Sequence, residues 1–95
     1  MRIIHRQRIQ VFATAHPDSH PSLNAWTQAM EQNNFAYFHQ LRQTFGSVDY
    51  VRPYTVFNIS GNKYRLITLI NYTLGLASVE RVLTHGEYDR EQWKI

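Results

Sequence analysis

The first half of the chain has apolar residues at helical spacing. These residues recur every three or four positions, which puts them on one face of each of three successive amphipathic α-helices. We expect these faces to form part of a hydrophobic core rather than a cofactor site. The three sets are Ile9, Phe12 and Ala13 or Ala15; Leu23, Trp26 and Met30; and Phe35, Phe38, Leu41 and Phe45.

Turn-forming residues separate the predicted helices. Asp18 and Ser19 are suited to N-cap the second helix, and Pro21 is tolerated in its first turn. Upstream of all three helices, the pair Ile3-Ile4 could form an edge strand. The predicted helix ends are at Pro17, at Asn33-Asn34 and at Gly46.

In the second half, β-branched and aromatic residues dominate short segments that are separated by turn signals. The segments predict antiparallel strands joined by hairpin turns, and the chain closes with a short tail that has room for one helical turn. Helices followed by a meander predict an α+β fold. The predicted strands are Thr55–Ile59, Lys63–Tyr72 and Leu76–Leu83, the turns are Ser60–Asn62 and Thr73–Gly75, and the tail is Asp89–Ile95.

The turn lengths predict which residues face each other across the strands. A three-residue second loop places Tyr72 opposite Leu76, and the same register then pairs the residues further along the hairpin. A two-residue first loop, either Ser60-Gly61 or Gly61-Asn62, adds Asn58 to one face. The predicted pairs are Lys63 with His85, Arg65 with Leu83, and Ile67 with Arg81.

That register gathers polar and cationic side chains on one face of the sheet, namely Asn58, Lys63, Arg65, Arg81 and His85. Such a group is costly to bury, so we expect it to line a solvated concavity that holds an anion, with phosphate as the natural choice. An ordinary solvated sheet face remains the alternative. The register alone does not separate the two interpretations.

Composition narrows the possible chemistry. The chain of 95 residues has no cysteine, which excludes disulfides, thiolate nucleophiles and cysteine-based metal sites. Its histidines show no metal-ligand spacing, so we expect neither a metal nor another cofactor. A formal net charge of +3 is compatible with an anionic partner. With no long apolar run and no signal-like N-terminus, residues 1–95 are predicted to form a single cytoplasmic domain that does not contact membranes.

Two segments carry a resemblance to a known family. The stretches TVFNISGNKYRLITLINY (Thr55–Tyr72) and VLTHGEYD (Val82–Asp89) closely resemble the C-terminal half of HigB-type toxins of the RelE-like superfamily. The upstream pieces MRII, FATAHPD, AW and FGSVDYV follow the same layout, so the resemblance covers nearly the whole chain. It implies the RelE-like fold, a curved antiparallel sheet with the N-terminal helices packed on one face.

The resemblance also implies an activity and its partners. RelE-like toxins are endoribonucleases that cleave mRNA without a metal, by attack of a ribose 2′-hydroxyl on the adjacent phosphate. Many act on mRNA held in the ribosome, and a helix-turn-helix antitoxin of the HigA type neutralises them. Two alternatives stay open: a catalytically inactive RNA-binding or antitoxin-complex subunit, and a ribonuclease that needs no ribosome.

Site roles follow from the family motifs. Arg65 corresponds to the strand arginine at the scissile phosphate, with Lys63 beside it, although each could instead be an ordinary surface charge. His85 is the predicted general acid or base, because imidazole titrates near neutral pH. Tyr88 is predicted to assist proton transfer or stack on a base, or else to anchor the tail.

Two further residues, Asn58 and Arg81, are predicted to bind substrate. Asn58 stands where RelE has catalytic lysines, which leaves the general base undetermined. Arg81 is predicted to bind phosphate or the ribosome, or to pair with a nearby carboxylate. Arginines elsewhere, Arg42 among them, are assigned only to a general basic surface.

Overall fold

The computed structural model describes residues 1–94, and Ile95 lies outside the described residues. Its helices and strands confirm the α+β class, with helices in the first half and most strands in the second. In chain order the elements are β1 (Arg2–Ile4), α1 (Gln7–Ala15), a 3₁₀ turn (Pro17–Ser19), α2 (His20–Gln32), α3 (Phe38–Thr44), β2 (Asp49–Val51), β3 (Tyr54–Ile59), β4 (Tyr64–Asn71), β5 (Leu76–Thr84), α4 (His85–Asp89) and a second 3₁₀ turn (Gln92–Lys94).

The strands form one five-stranded sheet in the order β1-β5-β4-β3-β2. Strands β2 to β5 are antiparallel, as predicted, whereas β1 pairs with β5 in parallel. The sheet is therefore mixed rather than wholly antiparallel. The sequence pattern does not reveal β2, which has only three residues. No helix within residues 1–94 is both long enough and apolar enough to cross a membrane.

Helices α1, α2 and α3 cover one face of the sheet, called here the helix face. The core between the two layers contains Leu23, Trp26 and Met30 of α2 together with Phe57 and Leu66 of the sheet, all nearly inaccessible to solvent. Trp26 meets Phe57 edge to face, with ring centroids 5.4 Å apart. The apolar set predicted for the second helix is thus confirmed as core.

The opposite face, called here the open face, has a smaller apolar cluster. Val56 of β3 and Ile67 of β4 are buried there beneath Trp93, which comes from the C-terminal 3₁₀ turn. Leu83 and Tyr88 pack against the edges of this cluster. The tail was predicted only as a possible helical turn; within its described part, Gln92–Lys94 form a 3₁₀ turn and Trp93 packs over Val56 and Ile67.

The predicted register of β4 and β5 is wrong beside the second turn but right further along the hairpin, because β5 contains a β-bulge. The second loop is longer than predicted, so Leu76 pairs with Asn71 and not with Tyr72. Because Glu80 has no partner on β4, the register shifts by one residue beyond it. The predicted pairs of Arg65 with Leu83 and of Ile67 with Arg81 are confirmed for this reason.

The bulge has a specific partner on the first helix. The Arg8 guanidinium of α1 donates hydrogen bonds to the carbonyl oxygens of Val79 and Glu80, at 2.9 and 3.3 Å. Bulges leave carbonyls outside the regular ladder, and a charged donor satisfies them well. Arg8 therefore stabilises the irregularity that keeps Arg81 on the open face.

At the first hairpin, Asn58 pairs with Arg65, which is the register that a Gly61-Asn62 loop requires. Both Ser60 and Gly61 have positive φ angles, of 54° and 68°. The turn closes with a hydrogen bond from the Lys63 amide to the Ser60 carbonyl, at 3.3 Å. Asn58 and Arg65 consequently share the open face, as predicted.

Two predictions near Asp18 are wrong. Neither Asp18 nor Ser19 caps α2 through its side chain, because Asp18 is engaged elsewhere and the Ser19 hydroxyl donates to the His16 carbonyl. Lys63 does not extend over the open face: its ammonium pairs with the Asp18 carboxylate, which also accepts a hydrogen bond from the Tyr64 hydroxyl on the helix face. This polar group connects the first hairpin to the turn before α2.

The Asp18 contacts give the stability of the fold a predictable pH dependence. The Lys63 ammonium, followed by the Tyr64 hydroxyl, lowers the pKa of Asp18 below its ordinary value. A lowered pKa in the folded state stabilises the protein above the ordinary pKa, and this contribution disappears as pH falls through the lowered one. We expect Asp18→Asn to lower the melting temperature at pH 7 and to have little effect near pH 2. Thermal unfolding of both proteins across this range measures the difference, and a difference that does not depend on pH would contradict the assignment.

Candidate functional site

A polar hollow lies on the open face beside Tyr88 of α4. The hollow, called here the Arg65 hollow, has a volume of about 320 Å³. It lies where strands β3 and β4 meet the segment between α3 and β2, and Tyr88 of α4 forms one wall. The lining residues are Arg42, Gly46, Ser47, Val48, Asp49, Val56, Asn58, Arg65 and Tyr88.

Arg65 is the most buried charged residue of the hollow, with 8% of its surface exposed. Its guanidinium donates to the carbonyl oxygens of Asn62 and Tyr64, each at 3.1 Å, and to the Asn62 side-chain oxygen at 2.5 Å. All three acceptors belong to the first hairpin. The turn therefore holds the guanidinium in a fixed orientation towards the hollow.

These acceptors are neutral, so they leave the charge of Arg65 uncompensated. Within residues 1–94, no carboxylate lies within ion-pair distance of Arg65; the ion pairs of the described chain involve Arg6, Lys63, His85 and Lys94. A charge held away from water is unfavourable unless a counter-charge is present. The Arg65 hollow is thus suited to an anionic group such as phosphate.

Tyr88 lies directly against this charge. The Arg65 guanidinium carbon is 5.3 Å from the centroid of the Tyr88 ring, in cation–π contact. Burial, reinforced by the nearby Asp49 carboxylate, raises the pKa of Tyr88 above its ordinary value, and the Arg65 charge only partly opposes this shift. The phenol therefore keeps its proton at neutral pH.

His85 is held near the start of α4, outside the lining of the Arg65 hollow. Its Nδ1 lies 2.8 Å from the Asp89 carboxylate, and its backbone amide donates to the Lys63 carbonyl at 3.0 Å. It was predicted at the end of a strand, but it begins a short helix instead. Because His85 and Tyr88 are separated by one helical turn of α4, one element carries both predicted proton-transfer residues.

The start of α4 is fixed by a capping box. The Thr84 hydroxyl accepts a hydrogen bond from the Glu87 amide, and the Glu87 carboxylate accepts one from the Thr84 amide. The hydrogen bond from the Thr84 backbone lowers the pKa of Glu87. Glu87 thus has a structural role and does not contact the hollow.

The remaining predicted residues divide between the hollow and its surroundings. Asn58 lines the hollow beside Arg65, whereas Lys63 is bound to Asp18. Arg81 lies on the open face beyond the tail, in a separate concavity with Arg8 and Trp93. The structure thus brings together Asn58, Arg65 and Tyr88, and leaves Lys63, His85 and Arg81 outside that group.

Two residues of the hollow were missed as site residues in the sequence. Arg42 of α3 was assigned only to a general basic surface, and Asp49 was not singled out. The FGSVDYV segment contains Asp49 and was a signal, because it is one of the pieces shared with the family layout. In the part of the chain that the structure describes, no three His, Asp or Glu side chains are grouped as metal ligands.

Comparison with known proteins identifies a family for the chain. The chain is 25% identical to an mRNA interferase HigB of Escherichia coli O6:H1, over 95% of this chain and 90% of that protein. It is 26% identical to the mRNA interferase toxin HigB of Escherichia coli K12 and to an mRNA interferase HigB of Shigella flexneri, in each case over 94% of this chain and 88% of the relative. Residues 19–91 match the HigB toxin family, described as the RelE-like toxic component of a toxin-antitoxin system. The chain therefore belongs to the HigB toxin family.

Proposed function

We propose that this protein, as a single domain of residues 1–95, is an endoribonuclease toxin that cleaves mRNA. The observation that supports it most directly is the buried Arg65 guanidinium, which has only neutral acceptors and faces a hollow of about 320 Å³. A phosphodiester would supply the missing negative charge. The relatives named mRNA interferases support the choice of mRNA as the substrate.

In the proposed reaction, the ribose 2′-hydroxyl attacks the adjacent phosphorus and the bond to the 5′-oxygen breaks. The products are a 2′,3′-cyclic phosphate and a free 5′-hydroxyl. Negative charge accumulates on the phosphoryl oxygens in the transition state, and the Arg65 guanidinium stabilises it there. Because the hairpin turn fixes Arg65 before substrate binds, little reorganisation is needed during the reaction.

Tyr88 is the proposed proton donor to the departing 5′-oxygen. Its phenol borders the same hollow as Arg65, and its raised pKa keeps it protonated at neutral pH. His85, oriented by Asp89, is the second candidate for proton transfer, and Asp49 of the hollow is a candidate acceptor for the 2′-hydroxyl proton.

The other polar residues are proposed to bind the RNA strand. Asn58 lines the hollow and can hydrogen-bond a phosphate or a base edge, and Arg42 adds a second positive charge there. Lys63 and Arg81 lie outside the hollow, so we assign both to neighbouring phosphates of the strand. For Lys63 this contact competes with the Asp18 ion pair.

The proposed partners follow from membership of the family. The toxic component of a toxin-antitoxin system has a neutralising antitoxin, which we propose to be a helix-turn-helix protein of the HigA type. We also propose that the toxin acts on mRNA held by the ribosome in the cytoplasm. The reaction uses only side chains of the chain and no cofactor.

The charge of Arg65 is tested by substitution. We expect Arg65→Ala to lower the rate of RNA cleavage by about 10²- to 10³-fold, because charge stabilisation in the transition state is lost. Arg65→Lys keeps the charge but not the planar fork, so an intermediate rate is expected. Cleavage of a defined mRNA and growth arrest after induction are the measurements.

Arg90→Ala provides the matched control, because it removes an exposed arginine that does not line the Arg65 hollow. It should retain both activities. Growth arrest that persists unchanged in Arg65→Ala would overturn the catalytic proposal and favour the inactive RNA-binding subunit.

The proton donor is tested by the pH dependence of cleavage. A protonated Tyr88 is required, so the rate should hold as pH rises and should fall only above about pH 10, the ordinary range of tyrosine. Tyr88→Phe should lower the rate by about 10²- to 10⁴-fold. Rates under single-turnover conditions are compared for the wild type, Tyr88→Phe and His85→Gln. A rate that is lost in His85→Gln and unchanged in Tyr88→Phe would assign the donor to His85 instead.

Ribosome dependence is tested by changing how the mRNA is presented. We expect the purified protein to leave naked mRNA intact and to cut the same mRNA within codons in a translating extract, since the ribosome would position the strand. Mapping of the 5′ ends measures both, with Arg65→Ala as the negative control. Equal cleavage of naked RNA would identify a free ribonuclease.

A further inference from the structure

We propose that Trp93 is a positioning residue for the reaction, which holds the Tyr88 ring against Arg65. This inference rests on the proposed function. Trp93 lies beyond residues 19–91, the part of the chain that matches the HigB toxin family, so the family match assigns it no role. It does not line the Arg65 hollow, and it acts on the site only through Tyr88.

Trp93 contacts Tyr88 in two ways. The two rings are stacked, with centroids 5.0 Å apart and an interplanar angle of 16°. The indole N–H of Trp93 also donates a hydrogen bond to the Tyr88 carbonyl at 2.9 Å. One contact holds the Tyr88 ring and the other holds its backbone, so together they restrict both position and orientation.

The sheet in turn holds Trp93. Only 5% of Trp93 is exposed, and it is buried with Val56 and Ile67 on the open face. Tyr54 meets it at an angle of 66°, with centroids 5.5 Å apart. Because this anchor lies on strands β3 and β4, and β4 also carries Arg65, Trp93 holds Tyr88 against the same part of the sheet that positions Arg65.

Tyr88 needs such support because its own helix is short. Helix α4 has five residues, and a helix of that length is not stable by itself. The Thr84–Glu87 capping box fixes its first residues, and Tyr88 follows the box as the last residue but one of the helix. Without Trp93 the ring would lose its stacking partner, and displacements of about 1 Å can lower catalytic rates by as much as 10²-fold.

The experiment is a double-mutant cycle between Trp93 and the Tyr88 hydroxyl. Trp93→Leu keeps an apolar side chain over Val56 and Ile67 but removes the stack and the N–H donor. We expect it to lower kcat by about 10-fold or more with a smaller change in KM, since the residues that line the Arg65 hollow are retained. In a Tyr88→Phe background, the same substitution should change kcat by less than about twofold, because the hydroxyl that it misplaces is already absent.

Two further variants separate positioning from general loss of stability. Trp93→Phe retains an aromatic ring for stacking, so it should recover kcat to within about threefold of the wild type. Val51→Ala trims a residue that packs against the same cluster, and should leave kcat unchanged. Thermal unfolding of each variant confirms that the folded protein is being assayed.

The possible outcomes distinguish this inference from the function on which it rests. Absence of cleavage by the wild-type protein would overturn the proposed function. A second outcome is that the wild type cleaves RNA while Trp93→Leu lowers kcat equally in the wild-type and Tyr88→Phe backgrounds. That result would overturn only the positioning role. A loss of kcat that occurs only where the Tyr88 hydroxyl is present supports the positioning role.

Discussion

The burial of one uncompensated cation is the constraint on which the candidate site depends. Arg65 is nearly inaccessible, yet its hydrogen-bond acceptors are carbonyl and amide oxygens of its own hairpin, from Asn62 and Tyr64. A carboxylate in their place would satisfy the guanidinium and cancel its charge. Neutral acceptors satisfy the geometry and leave the charge, so the hairpin both orients Arg65 and preserves its attraction for an anion.

The position of a second cation of the open face, Arg81, depends on an irregularity in the neighbouring strand β5. In β5 the register shifts at Glu80, and Arg8 of α1 binds the carbonyls at the bulge. A register shift of one residue exchanges the two faces of a strand. Without the bulge, Arg81 would turn into the core and Val82 towards solvent. The helix layer thus helps determine which side chains of β5 reach the open face.

The sequence predicted the elements that depend on local residue patterns. Helical spacing identified the core residues of α2. Each end of the three predicted strands was correct to within one residue. Loop length was less accessible: the predicted pairing of Arg65 with Leu83 was right only because a longer loop and a bulge offset each other. Side-chain partners distant in sequence, such as Asp18 for Lys63, were not predictable, because a lysine beside a turn can bend towards either face.

The site combines groups with two different kinds of support. Arg65 and Asn58 are fixed by paired strands, whereas Tyr88 comes from a short helix that is held at both ends. At its N-terminus the capping box fixes α4 directly after β5. Beyond its C-terminus, Trp93 binds the Tyr88 carbonyl and packs against the sheet. The charge that we propose to stabilise a phosphate is therefore part of the sheet. The proposed proton donor, Tyr88, comes from a segment that Trp93 contacts, so under this proposal changes in the tail would alter proton transfer without altering the anion site.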